Sequence, residues 1–261
     1  PVAHSISPLM HNESFRLLGL DYVYLCFDVN EETLPAAVAG LKTCGIRGFN
    51  LTMPNKNKIV ELLDELSPEA QLIGAVNTVL NDNGKLIGYN TDGYGFMQSV
   101  RDAGHDITGK NITVMGVGGA SMAICAQSAL DGAASVYIFA RRTSRYWNRT
   151  QKFAENLSAK TGCQVCLFDN DDHTALRDSI AQSYLLINAT SVGMVPDIDD
   201  TIIKDTSLFH PELVVADVVY EPQETRLLRE AKAAGCQTFN GMYMLLHQGA
   251  KAFQIWTGQE M

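Results

Sequence analysis

One stretch constrains the fold of this chain more than any other: NITVMGV at 111–117, an apolar run followed at once by GGAS and a segment rich in small residues, MAICAQSALDG. A second apolar run, SVYIFA at 135–140, comes next, and further strands are expected at CQVCLFD, YLLINAT and LVVADVVY. Strands that are apolar almost throughout must be covered on both faces, and helices between them supply the cover. The expectation is an α/β fold with a parallel sheet. At the first strand of this unit the chain turns through Gly116-x-Gly118 into a helix. Gly116 permits a tight turn, Gly118 lets backbone approach a pyrophosphate, and the helix N-terminus offers N–H groups to its charge. Ser121 stands where the usual G-x-G-x-x-G has its third glycine, and Gly119 lies beside Gly118.

The segment before this unit alternates as well. DYVYLCFDV (21–29) reads as a strand, EETLPAAVAGLKTCG (31–45) as a helix, and IRGFNLT as a second strand. A helix is expected at about 55–66, then a hairpin over 74–92 turning at Asn83-Gly84, a favoured two-residue turn. GYGFMQSVRDAG reads as a helix ending at Gly104, and ETRLLREAKAAG and MYMLLHQGAKAFQIWTG as a closing helix pair. The 261 residues suit two domains, divided at the helix after Asp92, and no internal repeat is visible.

Composition removes several classes of function. A formal charge of −9 argues against a nucleic-acid partner, and no apolar run approaches the roughly 20 residues a membrane helix needs. The cysteines at 26, 44, 125, 163, 166 and 236 fall mostly in apolar patterns, as small buried hydrophobes do. Cys163 and Cys166 form a CxxC, but no second pair or histidine set completes a zinc site, so no metal is expected. The pattern fits a reducing cytoplasm. The opening PVAHSISP has no charged segment followed by an apolar run, and it reads as a loop with a strand expected upstream of Pro1.

Polar residues at the junctions carry the candidate chemistry. Lys56 follows a Met-Pro-Asn turn at the end of an apolar stretch, where Pro54 cannot continue a ladder. It is either a solvated lysine or an ammonium held at the lip of a sheet. Asp92, bounded by glycines in GYNTDGYG, is a turn-former or a functional acid. Ser5 and Ser7 could organise a loop, and Asn77 could be a satisfied polar group in the hairpin. At the end of the second dinucleotide-unit strand stand Arg141, Arg142 and Thr143, with no acidic residue. An NAD site usually has Asp or Glu there, whereas arginines suit a 2′-phosphate, so NADP is the preferred cofactor and NAD the alternative.

Taken in order, HSISPLMHN, LTMPNK, GAVNT, GYNTDGYG, GVGGAS, NATSVGM, DVVYEP and GMYMLLHQGA resemble the shikimate dehydrogenase family along practically the whole chain. The likeness is nearest to its quinate/shikimate branch, which shares MPNK and the MLL-x-QGA ending. The resemblance implies a substrate-binding domain of residues 1–92 completed by 237–261, and a Rossmann domain of residues 93–236. It implies a monomeric or homodimeric enzyme in the route to aromatic amino acids. Its reaction would be reversible reduction of 3-dehydroshikimate to shikimate, of 3-dehydroquinate to quinate, or both, using NADP or NAD. By resemblance Lys56 and Asp92 are the catalytic pair, and Ser5, Ser7, Thr52, Asn77, Tyr220 and Gln248 bind substrate. Gly116, Gly118, Gly119, Ala120, Ala140, Arg141, Arg142, Thr143, Val218, Tyr220, Gly241 and Met244 would line the cofactor site. The quinate branch often has Asn in place of Ala140 and Asp in place of Thr143. Two other readings stay open: another two-domain dehydrogenase, such as the methylene-tetrahydrofolate type, and a nucleotide-binding regulator without turnover.

Overall fold

The computed structural model describes residues 5–261; the opening PVAH, part of the expected N-terminal loop, lies outside the described residues. The chain forms two compact units, one taking the residues through Thr91 together with Leu246–Met261, the other Asp92–Leu245.

The first unit begins with α1 (Ser7–Leu17), which takes in Ser7 and Pro8 from the end of the expected loop and has Pro8 in its first turn. It continues with α2 (Leu34–Thr43), β1 (Gly48–Asn50) and α3 (Asn55–Lys58), then a 3-10 turn over Ile59–Leu62. Next come β2 (Glu65–Leu66), α4 (Pro68–Ile73), β3 (Thr78–Asp82) and β4 (Lys85–Tyr89). The strand order is β1-β3-β4-β2, antiparallel except for the β2–β4 pair. The Asn83-Gly84 hairpin forms as expected, both residues at positive φ (52° and 93°). Leu34, Val38, Leu51, Ile59, Ala70, Val76, Val79 and Leu86 make the core.

Two expectations fail here. Residues 21–29 form no strand: Val23, Leu25 and Phe27 are 71%, 62% and 59% exposed, so no apolar face is buried to fix a ladder. The side chain of Asn12 substitutes for a neighbouring strand at one residue, accepting from Tyr24 N–H (2.7 Å) and donating to its carbonyl (3.0 Å). The helix expected at 55–66 is only one turn of α-helix, because residues 65–66 pair with β4 and Asp64 accepts from the Leu86 N–H (2.7 Å).

In the second unit the elements are α5 (Asp92–Asp102), β5 (Asn111–Met115), α6 (Gly119–Leu130), β6 (Ser135–Ala140), α7 (Trp147–Thr161) and β7 (Gln164–Asp169). There follow α8 (His173–Gln182), β8 (Leu185–Asn188), β9 (Val214–Asp217), α9 (Arg226–Ala233), β10 (Gln237–Phe239) and α10 (Met242–Thr257), which runs on into the first unit. All six strands are parallel, in the order β10-β9-β8-β5-β6-β7. This is the doubly wound dinucleotide arrangement, in which successive connections go to opposite sides of the first strand. β6, β8 and β9 are buried at every residue, as their apolar runs require. Met115, Phe139, Leu186, Val215, Ile180 and Leu228 pack together in one core cluster. Cys125, Cys163 and Cys236 are buried, whereas Cys26 lies in the open 21–29 segment and Cys44 is exposed at the C-terminal end of α2.

Candidate active site

In the first unit the polar residues converge on Asn77. Its buried side chain accepts from the Thr91 N–H and the Thr78 hydroxyl (both 2.9 Å) and donates to Thr91 Oγ1 (2.9 Å) and Gln248 Oε1 (3.4 Å). Asn50 Nδ2 donates to the Asn77 carbonyl (3.1 Å) and to Thr78 Oγ1 (3.0 Å), and the Tyr24 hydroxyl donates to Asn50 Oδ1 (2.9 Å). Burial, helped by the neighbouring Cys26, pushes the Tyr24 phenol up to about 12, while a hydrogen bond with the Ser7 side chain acts the other way. The expected residues Ser7, Asn77 and Gln248 are therefore joined, through Tyr24, Asn50 and Thr91, into one network. Tyr24 and Asn50 escaped the sequence reading because each sits inside an apolar run, with nothing but its own polarity to mark it.

Lys56 lies half-buried in α3. Its carbonyl accepts from the Val76 N–H (2.8 Å), which ties this single helical turn to the residue before Asn77. Thr52 is exposed in the turn ahead of α3, its carbonyl accepting from the Asn55 N–H (3.0 Å). Ser5 is exposed and its hydroxyl accepts from the Ser7 N–H (3.3 Å) at the start of α1.

The second unit presents its candidates at the carboxyl ends of the strands. Gly116 has φ +112°, and a Cβ there would lie 2.8 Å from Thr190 Cγ2 and 2.9 Å from the Ala189 carbonyl oxygen, so only glycine fits. Ser121 Oγ donates to the Gly116 carbonyl (2.6 Å). Gly118 and Gly119 are exposed, with open space where a side chain would stand, and no side chain caps the N-terminus of α6. Beside them is Ala120, in the first turn of α6. These features fit a dinucleotide pyrophosphate: uncapped N–H groups and a turn without obstructing side chains. The crevice outside β5 and β8, where the strand order reverses, is where such sheets bind ligands.

At the end of β6, Ala140 is buried and Arg141, Arg142 and Thr143 are exposed. The Arg142 guanidinium lies 4.7 Å from the centre of the Trp147 ring, and its backbone N–H donates to Asp169 Oδ1 (3.4 Å). The first two residues after β6 are thus both arginines, and no carboxylate ends that strand. Val218 and Gly241 meet: Gly241 N–H donates to the Val219 carbonyl (3.2 Å), and any Cβ at 241 would overlap the Val218 carbonyl. Tyr220 is exposed just beyond, and Met244 is half-buried in the first turn of α10. Asp92 is the buried first residue of α5.

Below this surface Asp217 is buried, and the desolvation pushes its carboxyl up to about 6, partly offset by hydrogen bonds from Val219 N–H, Thr225 and Asn188. Among the described residues no group of three His, Cys, Asp or Glu could hold a metal ion, and no helix is long and apolar enough to cross a membrane.

Comparison with known proteins bears on the family and the fold. Residues 1–79 match the shikimate dehydrogenase substrate-binding domain, and residues 241–261 the shikimate 5′-dehydrogenase C-terminal domain. The chain is 52% identical over 261 residues to a shikimate dehydrogenase (NADP(+)) of Listeria innocua, covering 100% of this chain and 89% of that protein. A crystal structure of shikimate 5-dehydrogenase from Listeria monocytogenes, in complex with shikimate and NAD, superposes with a TM-score of 0.98 at 51% identity, covering 100% of this chain and 90% of that one. More distantly, quinate dehydrogenase from Corynebacterium glutamicum, in complex with NAD, gives 0.87 at 31% identity, covering 100% and 92%.

Proposed function

The chain belongs to the shikimate dehydrogenase family, and we propose that it reversibly reduces 3-dehydroshikimate to shikimate with NADPH, a step towards aromatic amino acids. The observation that carries this reading is the buried array of amides and hydroxyls centred on Asn77, with Lys56 anchored through its backbone beside it. Such an array suits a polyhydroxylated ring acid, whose several hydroxyls each need a partner, better than a flat pterin. The bound nicotinamide supplies the hydride. The chain's own task is placement and charge. Reduction of a ring ketone builds negative charge on its oxygen, and the Lys56 ammonium stabilises that charge and delivers the proton. Asp92 orients a substrate hydroxyl, and Ser5, Ser7, Thr52, Asn77, Gln248 and Tyr220 hold the remaining hydroxyls and the carboxylate. The first unit, through Thr91 with Leu246–Met261, serves the substrate and the second, Asp92–Leu245, the dinucleotide; residues 237–245, expected with the substrate domain, instead supply β10 of the parallel sheet and the start of α10.

For the cofactor, Gly116, Gly118, Gly119 and Ala120 cradle the pyrophosphate. Arg141, Arg142 and Thr143, beyond Ala140, receive the 2′-phosphate. Val218, Tyr220, Gly241 and Met244 face the nicotinamide end. The NADP preference rests on the stacked Arg142 and on the missing acid at the end of β6. Ala140 and Thr143, where the quinate branch often carries Asn and Asp, stand in the same cofactor-selecting loop and bear on NADP against NAD rather than on the ring acid.

The test is a two-by-two assay, shikimate and quinate each with NADP and NAD, followed by nicotinamide absorbance. Shikimate with NADP is expected to give the highest kcat/KM; failure of all four pairs would overturn the reading. Lys56→Ala is expected to lower turnover at least about a hundredfold with NADPH affinity unchanged.

A further inference from the structure

Three strand ends stand side by side at the switch point of the parallel sheet: Met115 of β5 pairs with Asn188 of β8, and Asn188 with Asp217 of β9. The two polar residues of this row are fully buried, which is costly unless every polar atom finds a partner. Asp217 Oδ1 accepts from Asn188 Nδ2 (3.0 Å) and from the Val219 N–H (2.9 Å), and Oδ2 accepts from the Thr225 hydroxyl (2.8 Å). Asn188 in turn donates to the Val192 carbonyl (3.1 Å) and accepts from the N–H (3.1 Å) and hydroxyl (2.6 Å) of Thr190.

These bonds reach both ends of the proposed cofactor site. On one side Thr190 abuts Gly116. On the other, the Val219 peptide accepts from Gly241, whose backbone touches the Val218 carbonyl. A carboxylate is an acceptor at both oxygens, so one side chain satisfies three donors arriving from a neighbouring strand end, a loop and a helix start. An apolar residue of the same size would leave the Val219 N–H and the Asn188 amide buried without this acceptor.

We propose that Asp217 is a positioning residue of the cofactor site: with Asn188 it braces the loops after β8 and β9 so that Val218 and Gly241 form a fixed seat for the nicotinamide end of the dinucleotide. The proposal rests on the functional reading above and deepens it. Asp217 itself touches neither reactant. Two of its three bonds serve this brace, and the third serves the Thr225 cap of α9.

The brace and the cap can be separated in the full chain. Asp217→Ala removes the brace, and NADPH titrated by fluorescence is expected to bind about tenfold or more weaker, while KM for shikimate at saturating NADP stays within about twofold. Asp217→Asn keeps an oxygen towards Val219 and Asn188, and the Thr225 hydroxyl can turn to accept from its amide, so binding within about threefold of wild type is expected. Thr225→Val is expected to lower the melting temperature with NADPH affinity unchanged. Asp217→Ser, which leaves room for water at the freed donors, carries the same expectation as Asp217→Ala and serves if that variant does not fold. Wild-type NADPH affinity in the alanine or serine variant overturns the positioning role alone. So does a loss that Thr225→Val reproduces in proportion to its fall in melting temperature. A wild-type chain that does not bind NADPH overturns the functional reading and this role together.

Discussion

The two sheets of this protein are held by different means. In the parallel sheet β6, β8 and β9 are buried at every position, whereas in the first unit β1 is half-buried throughout and β4 alternates buried with partly open positions. The first sheet leans instead on side-chain amides. Asn12 closes both backbone groups of Tyr24, Asn50 and Asn77 tie β1 to β3, and Arg47 donates to the carbonyls of Trp256 (2.9 Å) and Asn81 (3.2 Å). Burial is non-directional and tolerates change in proportion to area, while an amide clamp is local and depends on one residue.

The two tryptophans make the contrast measurable, since Trp147 lies in the second unit and Trp256 in the first. Variants that keep only one of them report each unit separately in urea titrations. The largest effect is expected at Phe139, fully buried in β6: Phe139→Ala should cost about 3–5 kcal/mol, read as a lower midpoint of the Trp147 signal. A loss below about 1 kcal/mol would mean that burial is not what holds the parallel sheet.

Acid should move the units in opposite directions. His11 is buried among Tyr24, Phe15, Phe253 and Trp256, neither ring nitrogen has a hydrogen-bond partner among the described residues, and burial lowers its pKa from 6.5 to about 4. Between those values the unfolded chain binds a proton that the fold refuses. The first unit therefore loses stability as pH falls from about 6.5 to 4, by roughly 3 kcal/mol in all. Asp217 has the reverse sign: its carboxyl is raised from 3.8 to about 6, so the fold takes up the proton first, and stability rises as pH falls from about 6 to 3.8. The Trp256 midpoint is expected to drop between pH 7 and pH 4.5 relative to that of Trp147, and His11→Phe should remove most of that drop. Parallel shifts of both signals would show that the two buried groups are not the dominant titrations.

The smallest effect concerns the clamp on residues 21–29. Asn12→Ala should cost about 1 kcal/mol and raise hydrogen exchange at the Tyr24 amide severalfold, with the Trp147 midpoint unmoved. An unchanged Tyr24 amide would show that this segment is fixed by the stacking of Tyr24 on His11 (4.6 Å) instead.

The same contrast explains what could be read from residue order. Continuous apolar runs such as SVYIFA and LVVAD announce burial on both faces, and each became a parallel strand. DYVYLCFDV has similar composition but gained no neighbour, because strand formation depends on a partner that composition does not specify. The helix expected after Lys56 stopped early for a related reason: Asp64 and Glu65–Leu66 are claimed by β4, a contact distant in sequence. Among the site candidates, the glycine turn was visible because a positive φ leaves a chemical signature. Asp217 was not singled out, because nothing local distinguishes a buried brace from any acid at a strand end. The glycine after Asp92 serves packing: the Ala123 backbone of α6 leaves no room for a side chain at Gly93.

Ser121 has a consequence for how such sites are searched for. Where a third glycine would leave bare space between helix and strand, this chain inserts a fully buried hydroxyl that latches onto the Gly116 carbonyl. A pattern search demanding glycine at that position would pass over this turn, although its Gly116 and Gly118 are in place. Ser121→Gly would restore the consensus spelling and free the Gly116 carbonyl of its hydroxyl partner.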